Sequence, residues 1–284
     1  MSKIIDGKLI AQNVKDNLKA KVAEFEKEYG RKITLAVVLV GENPASQVYV
    51  KNKIRATEYV GMKSLSFNLP ENSTENEVSE LIKSLSSDNS VDGILVQLPL
   101  PKHLDENKIL ELIPAEKDVD GFLAENVGNL MLGLPTTVAC TPFGVLQMLK
   151  SENIDLVGKN AVVIGRSNIV GKPMAMLLLK ENCTVTICHS KTQNLKEICK
   201  TADVLVAAIG RPKFVTADMV KDGAVVIDVG INRTENGLVG DVDFDAVKEI
   251  AGYISPVPGG VGPMTIAMLL ENTYICAKRR KIND

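Results

Sequence analysis

The sequence predicts an α/β fold in two domains, with a mainly parallel sheet covered by helices. Three observations predict it. Short runs rich in β-branched residues alternate with amphipathic segments of helical length along the whole chain, which is the pattern of a parallel sheet. The runs are almost continuously apolar, as in strands that are buried on both faces. A chain of 284 residues, 45% of them hydrophobic, is also long enough to form a core in each of two domains.

Seven of these runs are predicted to be strands. They cover residues 33–40, 63–69, 92–98, 160–165, 184–188, 203–208 and 224–229. Helices are expected in the gaps between them. The first helix is predicted from about Lys8 to Tyr29, and another begins at Asn43, a suitable N-cap residue with Pro44 in the first turn.

Two segments interrupt the alternation and predict the domain organisation. Residues 126–142, dense in Gly, Pro and Thr, form the best internal boundary, and residues 253–263 precede a last amphipathic helix. That helix could return to the first domain. We therefore predict one domain of residues 1–139, completed by the C-terminal helix at residues 263–284, and a second domain of residues 140–262.

The charge and hydropathy patterns argue against several classes of protein. Lysine and arginine (33) nearly balance aspartate and glutamate (35), so the chain lacks the basic field that nucleic-acid binding needs. No apolar run reaches the ~18 residues of a membrane span, and Asp6 would interrupt the core of a signal peptide. We expect a cytoplasmic protein with neither a nucleic-acid nor a membrane partner.

The cysteines form no CxxC pair, and only two histidines could join them at a metal. They are Cys140, Cys183, Cys188, Cys199 and Cys276. We therefore expect no metal site and interpret the cysteines as buried free thiols of a reducing compartment.

A phosphate-binding turn is predicted where the strand at residues 160–165 runs into the segment Gly165–Pro173 and an apolar helix follows. Gly165 permits a tight bend, Gly171 permits close helix packing, and the helix N-terminus offers N–H groups to a pyrophosphate. The pattern is not GxGxxG, because Ser167 replaces the second glycine and the spacing to Gly171 is one residue longer. An ordinary strand-to-helix turn is the alternative.

The end of the next strand indicates which dinucleotide would bind. NAD-preferring folds place Asp or Glu there for the ribose hydroxyls, whereas this chain has His189, Ser190 and Lys191. No carboxylate would repel a 2'-phosphate, Ser190 can donate a hydrogen bond, and Arg166 can add charge-assisted ones. NADP is therefore favoured over NAD, with a solvated loop arginine as the alternative for Arg166.

Seven motifs stand in one order along the chain: YVKNK, GILVQLPLP, KDVDG, GRSNIVGKP, CHSKT, DVGIN and SPVPGGVGPMT. With them the chain resembles the methylenetetrahydrofolate dehydrogenase/cyclohydrolase family over essentially its whole length. The resemblance implies a catalytic N-terminal α/β domain, a C-terminal NADP-binding Rossmann domain, and an active site in the cleft between them. It implies NADP-dependent oxidation of 5,10-methylenetetrahydrofolate, hydrolysis of the product to 10-formyltetrahydrofolate in one-carbon metabolism and purine biosynthesis, and a homodimer formed through the Rossmann domain.

The resemblance also implies roles for individual residues. Lys53 would be the catalytic lysine, Tyr49 would stack on the folate, Gln97 would be the hydrogen-bond partner of the lysine, and Asp120 would anchor the pterin. NADP would bind at Gly165, Arg166, Ser167, Ser190 and the backbone at Ile231, and Pro258, Gly259, Gly262 and Thr265 would form the wall of the cleft. Many members have proline and a basic residue where this chain has Ala139 and Phe143, so the departures concern the domain junction.

Spacing supports a shared role for Tyr49 and Lys53, because residues four apart project from one face of a helix. Alone, a solvated lysine on a helix surface would be the ordinary interpretation. The apolar Ala56 and Val60 on the same face predict partial burial of Lys53 and a depressed pKa, which would suit a base near neutral pH.

The carboxylates of KDVDG suit the pterin, whose ring presents an N–H and an amino group side by side to one acceptor pair. Spacing alone does not decide between Asp118 and Asp120, and both could simply form a turn ahead of a glycine. His103 has no partner visible in the sequence and is interpreted as structural.

Three other functions share features with this sequence. A short-chain dehydrogenase shares the Tyr-x-x-x-Lys spacing, but there the glycine-rich turn precedes the pair, whereas Gly165 follows it. A shikimate-dehydrogenase-like enzyme is the nearer alternative, since it also combines a catalytic lysine with a C-terminal Rossmann unit. A non-catalytic NADP-binding module is the third, and activity on folate would separate all three from the family function.

Overall fold

The structure is a computed structural model that describes residues 2–235 and 237–282. The chain divides into two compact units, each with its own parallel sheet. The three-stranded unit comprises Asn13–Asn129, Pro135–Val138 and the chain from Leu269. The six-stranded unit comprises the chain up to Gln12, Leu130–Leu134 and Ala139–Met268.

The predicted strands are all present, with ends within two residues of those expected. In chain order, the strands are β1 (Lys3–Ile4), β2 (Thr34–Val40), β3 (Lys63–Leu69), β4 (Gly93–Val96), β5 (Asn160–Ile164), β6 (Thr184–Cys188), β7 (Val204–Ala207), β8 (Val225–Asp228), β9 (Asn232–Thr234), β10 (Gly237–Val239) and β11 (Tyr253–Ile254). The helices are α1 (Gly7–Tyr29), α2 (Pro44–Tyr59), α3 (Glu75–Ser87), α4 (Glu106–Leu110), α5 (Ala124–Met131), α6 (Cys140–Ser151), α7 (Gly171–Lys180), α8 (Leu195–Cys199), α9 (Phe244–Val247) and α10 (Val261–Ile282).

The sheet of the three-stranded unit has the order β3-β2-β4, and both pairings are parallel. The central strand β2 is buried at every position, which is why its sequence is an unbroken apolar run. Helix α2 begins at Pro44 as predicted, because the Asn43 side chain accepts a hydrogen bond from the Ser46 N–H at 3.2 Å.

Helix α3 shows how local sequence and packing agree in this unit. Thr74 and Glu77 form a reciprocal capping box at its start. Val78, Ile82 and Leu85 are buried at helical spacing and join the hydrophobic core beside β2 and β4. The helix therefore presents one apolar stripe to the sheet and its polar face to solvent.

The sheet of the six-stranded unit has the order β1-β11-β8-β7-β5-β6, with every pairing parallel. Strands β6 and β7 lie on opposite sides of β5, so the order reverses at the carboxyl end of β5. Ligands of open parallel sheets bind at such switch points. A separate antiparallel hairpin, β9 with β10, follows β8. The predicted α/β class with parallel sheets is confirmed.

The two predicted breaks contain more regular structure than expected. Within residues 126–142, α5 continues to Met131 and α6 starts at Cys140. Within residues 253–263, the two residues of β11 pair with β8 on one side and with β1 on the other. Sequence reasoning missed β1 and β11 because a two-residue strand has no periodicity to detect.

Within the described residues, none of the helices combines the length and the apolar character that a membrane span requires. The five cysteines are buried and form no disulfide, as expected. Burial raises the pKa of the Cys199 thiol to about 12, which makes it a poor nucleophile.

Candidate substrate and cofactor sites

Lys53 and Gln97 are brought together in the three-stranded unit. Lys53 lies on α2 and Gln97 directly follows β4, and the lysine Nζ donates to Gln97 Oε1 at 3.0 Å. The amide orientation is fixed, since Gln97 Nε2 donates to the Leu98 carbonyl at 2.6 Å. Both side chains are half-buried, so this pair is partly shielded from water and still open to a ligand.

Asp120 is the charged neighbour of this pair. It is half-buried, and burial raises the pKa of its carboxyl to about 7, with the Lys53 charge acting in the opposite direction and the Asp118 charge raising it further. Asp120 accepts no hydrogen bond from any residue that the structure describes. Its acceptor oxygens are therefore available to a ligand.

Asp118, the other aspartate of KDVDG, is fully engaged by its own loop. It is buried and accepts hydrogen bonds from the N–H groups of Gly121 (2.9 Å) and Leu123 (3.0 Å) and from Asn126 Nδ2 (2.9 Å). This carboxylate has a structural task that spacing could not reveal. The geometry favours Asp120 as the residue of this motif that faces a ligand.

Lys117 is buried as well, and its ammonium group holds the motif against the end of α3. Its Nζ donates to the carbonyl oxygens of Leu85 (3.1 Å), Ser86 (2.8 Å) and Asp88 (2.7 Å). Carbonyls at a helix C-terminus lack partners within the helix, and a cation there satisfies them. The backbone that leads to Asp120 is therefore held by the contacts of Lys117 and by those of Asp118.

Tyr49 stands one helical turn before Lys53 on α2 and is 49% exposed. An exposed aromatic ring at that position can stack on a planar ligand beside the lysine.

His103 contacts the Ser73 carbonyl through Nε2 at 2.9 Å, in keeping with a structural role.

The turn after β5 in the six-stranded unit requires both of its glycines. Gly165 has φ +128°, and a Cβ there would lie 2.3 Å from the Ala208 carbonyl oxygen. A Cβ on Gly171 would lie 2.2 Å from the Gly165 carbonyl oxygen. Ser167, in place of the usual second glycine, caps α7 by accepting from the N–H groups of Val170 (3.2 Å) and Gly171 (3.3 Å).

This turn also offers donors to an anion. The N–H groups of Asn168 and Ile169 make no hydrogen bond within the described part of the chain, and the exposed Arg166 forms no ion pair there. Free N–H groups ahead of a helix N-terminus suit a pyrophosphate.

The end of β6 suits a 2'-phosphate. The His189 N–H donates to Thr192 Oγ1 at 2.8 Å, the Lys191 N–H donates to His189 Nδ1 at 3.1 Å, and Ser190 is exposed on the resulting turn. The turn presents hydroxyl and cationic groups and no carboxylate. The donor set of this unit therefore fits NADP.

A cavity of about 180 Å³ lies in the same unit beside the carboxyl end of β8. Four of the predicted site residues line it: Ile231, Pro258, Gly259 and Gly262. Thr265 does not line it, and its hydroxyl instead meets Thr141 Oγ1 at 3.1 Å.

Sequence reasoning missed two buried carboxylates near this cavity, Asp228 and Asp241, both at most 2% exposed. Burial raises the pKa of Asp228 to about 6, although backbone N–H groups oppose the shift. The available signal was an aspartate at the end of an apolar strand, a position where a buried charge must have partners.

Two family models match the chain. The catalytic-domain model of tetrahydrofolate dehydrogenase/cyclohydrolase matches residues 5–120, and the NAD(P)-binding-domain model of the same family matches residues 139–281. Among curated relatives, the bifunctional protein FolD of Agathobacter rectalis is 58% identical over 280 residues, which cover 98% of this chain and 100% of the relative.

Solved structures give the same picture. The bifunctional enzyme FolD, a methylenetetrahydrofolate dehydrogenase/cyclohydrolase from Campylobacter jejuni, is 54% identical with a TM-score of 0.95, covering 99% of this chain and 100% of that one. The Trypanosoma brucei enzyme, complexed with NADP and an inhibitor, is 38% identical with a TM-score of 0.92, covering 99% and 98%. A shikimate dehydrogenase from Aquifex aeolicus is 17% identical with a TM-score of 0.53, covering 90% and 99%, which is a likeness of fold alone.

Proposed function

The chain belongs to the tetrahydrofolate dehydrogenase/cyclohydrolase family, and from this premise we propose how its residues carry out the two reactions of that family. The protein is a bifunctional enzyme that oxidises 5,10-methylenetetrahydrofolate with NADP and hydrolyses the methenyl product to 10-formyltetrahydrofolate. The observation that carries the proposal is the Lys53 to Gln97 hydrogen bond next to Asp120, whose carboxyl accepts no hydrogen bond within the described part of the chain.

Folate binding falls to Asp120 and Tyr49 in this proposal. The pterin ring offers an N–H and an amino group side by side, and one ionised carboxylate can accept both. Tyr49 supplies an exposed ring one turn from Lys53 on which the folate stacks. Pro258, Gly259, Gly262 and Thr265 are proposed as further substrate contacts.

The dehydrogenase step requires the protein to position the folate substrate. Bound NADP would supply a hydride acceptor for the methylene carbon, and the two flanking nitrogens of the substrate would stabilise the cation that hydride loss leaves. No proton leaves at this stage, so the protein residues act by holding the folate in one orientation. Asp120 and Tyr49 supply that orientation.

The cyclohydrolase step needs a proton to be moved. Water adds to the cationic carbon and loses a proton, and a ring nitrogen leaves. Lys53 is proposed to exchange the proton, and Gln97 orients it through the 3.0 Å hydrogen bond. The Gln97 carbonyl oxygen accepts from the ammonium form of Lys53 and keeps Nζ in place.

NADP is proposed to bind the turn after β5 and the turn after β6. Gly165, Ser167 and the free N–H groups that follow would receive the pyrophosphate, Arg166 and Ser190 would bind the 2'-phosphate, and the backbone at Ile231 would meet the nicotinamide end. We assign folate binding to the three-stranded unit and NADP binding to the six-stranded unit.

We further propose a homodimer formed through the six-stranded unit. Strand β6 is an edge of its sheet, and Ile187 on it and Leu179 on α7 are 37% and 54% exposed. An exposed apolar edge strand is a surface that proteins usually cover. Light scattering should give twice the mass of one chain, and Ile187→Lys should give one chain mass.

A cytoplasmic location and a supply of formyl groups to purine biosynthesis complete the proposal. Five cysteines that form no disulfide suit a reducing compartment, and 10-formyltetrahydrofolate is a formyl donor. A strain that lacks this enzyme should regain growth without purines when it expresses this chain in the cytoplasm.

The direct test follows absorbance during turnover of 5,10-methylenetetrahydrofolate with NADP and then with NAD. We expect methenyl-folate to form and then to decay, with NADP preferred. NADP binding without turnover would instead identify a non-catalytic module, and turnover of shikimate would contradict the proposed substrate.

A further inference from the structure

Asp241 links two loops at the carboxyl ends of neighbouring strands. Its Oδ2 accepts hydrogen bonds from the N–H groups of Ile209 (2.7 Å) and Gly210 (2.9 Å), directly after β7. Its Oδ1 accepts from the Arg211 N–H (2.8 Å) and from Asn232 Nδ2 (3.0 Å), which follows β8. The residue is 0% exposed, so one buried carboxylate binds three donors from the loop after β7 and a fourth from Asn232, where the loop after β8 ends and β9 begins.

Asp228 extends this arrangement from the end of β8. It accepts hydrogen bonds from the N–H groups of Gly230 (3.0 Å), Asp241 (2.9 Å) and Val242 (2.9 Å), and its own N–H donates to Ser255 Oγ at 2.8 Å. Asp228 therefore fixes the backbone of Asp241 itself, and the two carboxylates form one network. We call Asp228 and Asp241 the carboxylate brace.

Gly230 and Gly240 lie where the two carboxylates leave no room for a side chain. A Cβ at Gly230 would lie 2.1 Å from Asp241 Oδ1, and a Cβ at Gly240 would lie 1.8 Å from Asp228 Oδ2. A side chain at either position would displace a carboxylate. The backbone of both segments is thus built around the two aspartates.

The braced loops stand at the edge of the sheet where an open parallel fold binds its ligand. Ile209 is next to Ala208, whose carbonyl oxygen packs against Gly165 of the phosphate turn. Ile231 lies between Gly230 and Asn232, both of which contact the brace, and it lines the 180 Å³ cavity. Both ends of the proposed NADP site therefore abut backbone that the brace holds.

We propose that Asp241, supported by Asp228, is a positioning residue for NADP: it holds the loops after β7 and β8 in their binding conformation before the cofactor arrives. The inference rests on the proposed NADP site. Because the loops are ordered in advance, binding avoids the entropy loss of fixing them. Neither aspartate needs to touch the cofactor.

Asp241→Asn is the sharpest variant. An amide offers one acceptor oxygen, and its NH2 group would face N–H donors that need an acceptor. Asp243→Asn is the matched control, since Asp243 lies two residues away and its side chain pairs with Lys213 at the surface, 3.3 Å apart. Asn232→Leu is a milder variant that removes one of the four donors.

The test measures the Kd of NADP by isothermal titration calorimetry and, separately, hydrolysis of supplied 5,10-methenyltetrahydrofolate, which consumes no NADP. Asp241→Asn should raise the Kd by about 10-fold or more, as expected for lost hydrogen bonds to a charged group. Asn232→Leu removes one of four donors and should raise the Kd by about 3-fold, the lower end of what one net hydrogen bond contributes. Asp243→Asn should stay within about 2-fold. Methenyl hydrolysis should be retained in every variant, because the folate residues are untouched.

An unchanged NADP Kd in Asp241→Asn would overturn the proposal. Equal losses of NADP binding and methenyl hydrolysis would also overturn it, since they would show a general structural role. If Asp241→Asn fails to fold, Asn232→Leu decides by the same two measurements. Wild-type protein that hydrolysed methenyl-folate but bound no NADP would contradict the proposed cofactor site itself, which separates the two failures.

Discussion

The side chains of Lys53 and Gln97 share a 3.0 Å hydrogen bond although 44 residues separate them in the chain. The glutamine is held by a second bond to the neighbouring Leu98 carbonyl, so its oxygen has one available orientation. The Lys53 nitrogen is therefore held in one place, as a group that exchanges a proton with the substrate requires. The contact gives the cyclohydrolase proposal its most direct test.

Lys53→Met should remove cyclohydrolase activity far more completely than dehydrogenase activity, because only hydrolysis moves a proton. A positioned general base contributes about 100- to 10,000-fold, so the hydrolytic rate should fall by at least the lower figure. Formation and decay of methenyl-folate are followed separately by absorbance, with circular dichroism to check folding. Lys51→Met, an exposed lysine on the same helix, is the control. An unchanged hydrolytic rate would exclude Lys53 as the base.

The KM of the dehydrogenase for 5,10-methylenetetrahydrofolate should depend on pH, because the charge of the Asp120 carboxyl changes with pH. Burial raises its pKa to about 7, so the carboxyl is neutral below that pH and ionised above it. Only the ionised form accepts both pterin hydrogen bonds. KM should therefore rise by about 10-fold for each pH unit below 7.

The matched variants for this pH profile are Asp120→Asn and Asp222→Asn. Asp120→Asn should show a high KM that no longer changes across pH 6 to 8, whereas the exposed Asp222→Asn should keep the wild-type profile. A wild-type profile in Asp120→Asn would assign the titration to another group.

Arg166→Ala should weaken NADP binding by about 10- to 100-fold and leave NAD binding nearly unchanged, because charge-assisted hydrogen bonds to the 2'-phosphate are worth ~1.5–3 kcal/mol each. Calorimetric titration with both cofactors measures the ratio. Arg233→Ala removes an exposed arginine on β9 of the same unit and should alter neither affinity. Equal losses for the two cofactors would show that Arg166 does not read the phosphate.

Asn272→Leu should destabilise the three-stranded unit. The Asn272 amide is buried on α10 and donates to the carbonyl oxygens of Val119 and Val138, both at 2.8 Å. Leaving a buried carbonyl unsatisfied costs ~1–3 kcal/mol, so the free energy of unfolding should fall by at least the lower figure.

Urea unfolding measures this change. Glu271→Gln, the neighbouring position on α10 in a partly exposed ion pair with Lys21, should cost less than about 1 kcal/mol. A similar cost for the two variants would mean that the hydrogen bonds of Asn272 contribute little.

The sequence predicted the strands well because parallel strands that are buried on both faces are continuous apolar runs, as in β2 and β5. It could not predict β1 and β11, whose two residues each carry no pattern. Spacing also left Asp118 and Asp120 undecided. The distinction depends on Gly121, Leu123 and Asn126 folding back onto Asp118, and such contacts exist only in three dimensions.

The role of Asp241 could not be predicted from the sequence either. Its four donors come from positions up to 32 residues earlier in the chain, so no local motif marks it. A sequence can indicate that an aspartate among apolar residues needs hydrogen-bond partners, because burying an unpaired charge costs free energy. Which loops satisfy it depends on the strand order of the sheet.

The division of labour within KDVDG has a genetic consequence. The side chains of Lys117 and Asp118 make hydrogen bonds that hold the backbone. A missense change at either would therefore lower the amount of protein in the cell through misfolding and degradation. A change at Asp120 would leave a folded, full-length chain that still binds NADP at the proposed site and, in the proposed homodimer, still pairs with normal subunits. Alleles two or three codons apart would therefore differ in dominance: changes at Lys117 or Asp118 behave as a simple absence, whereas a change at Asp120 interferes with the normal copy.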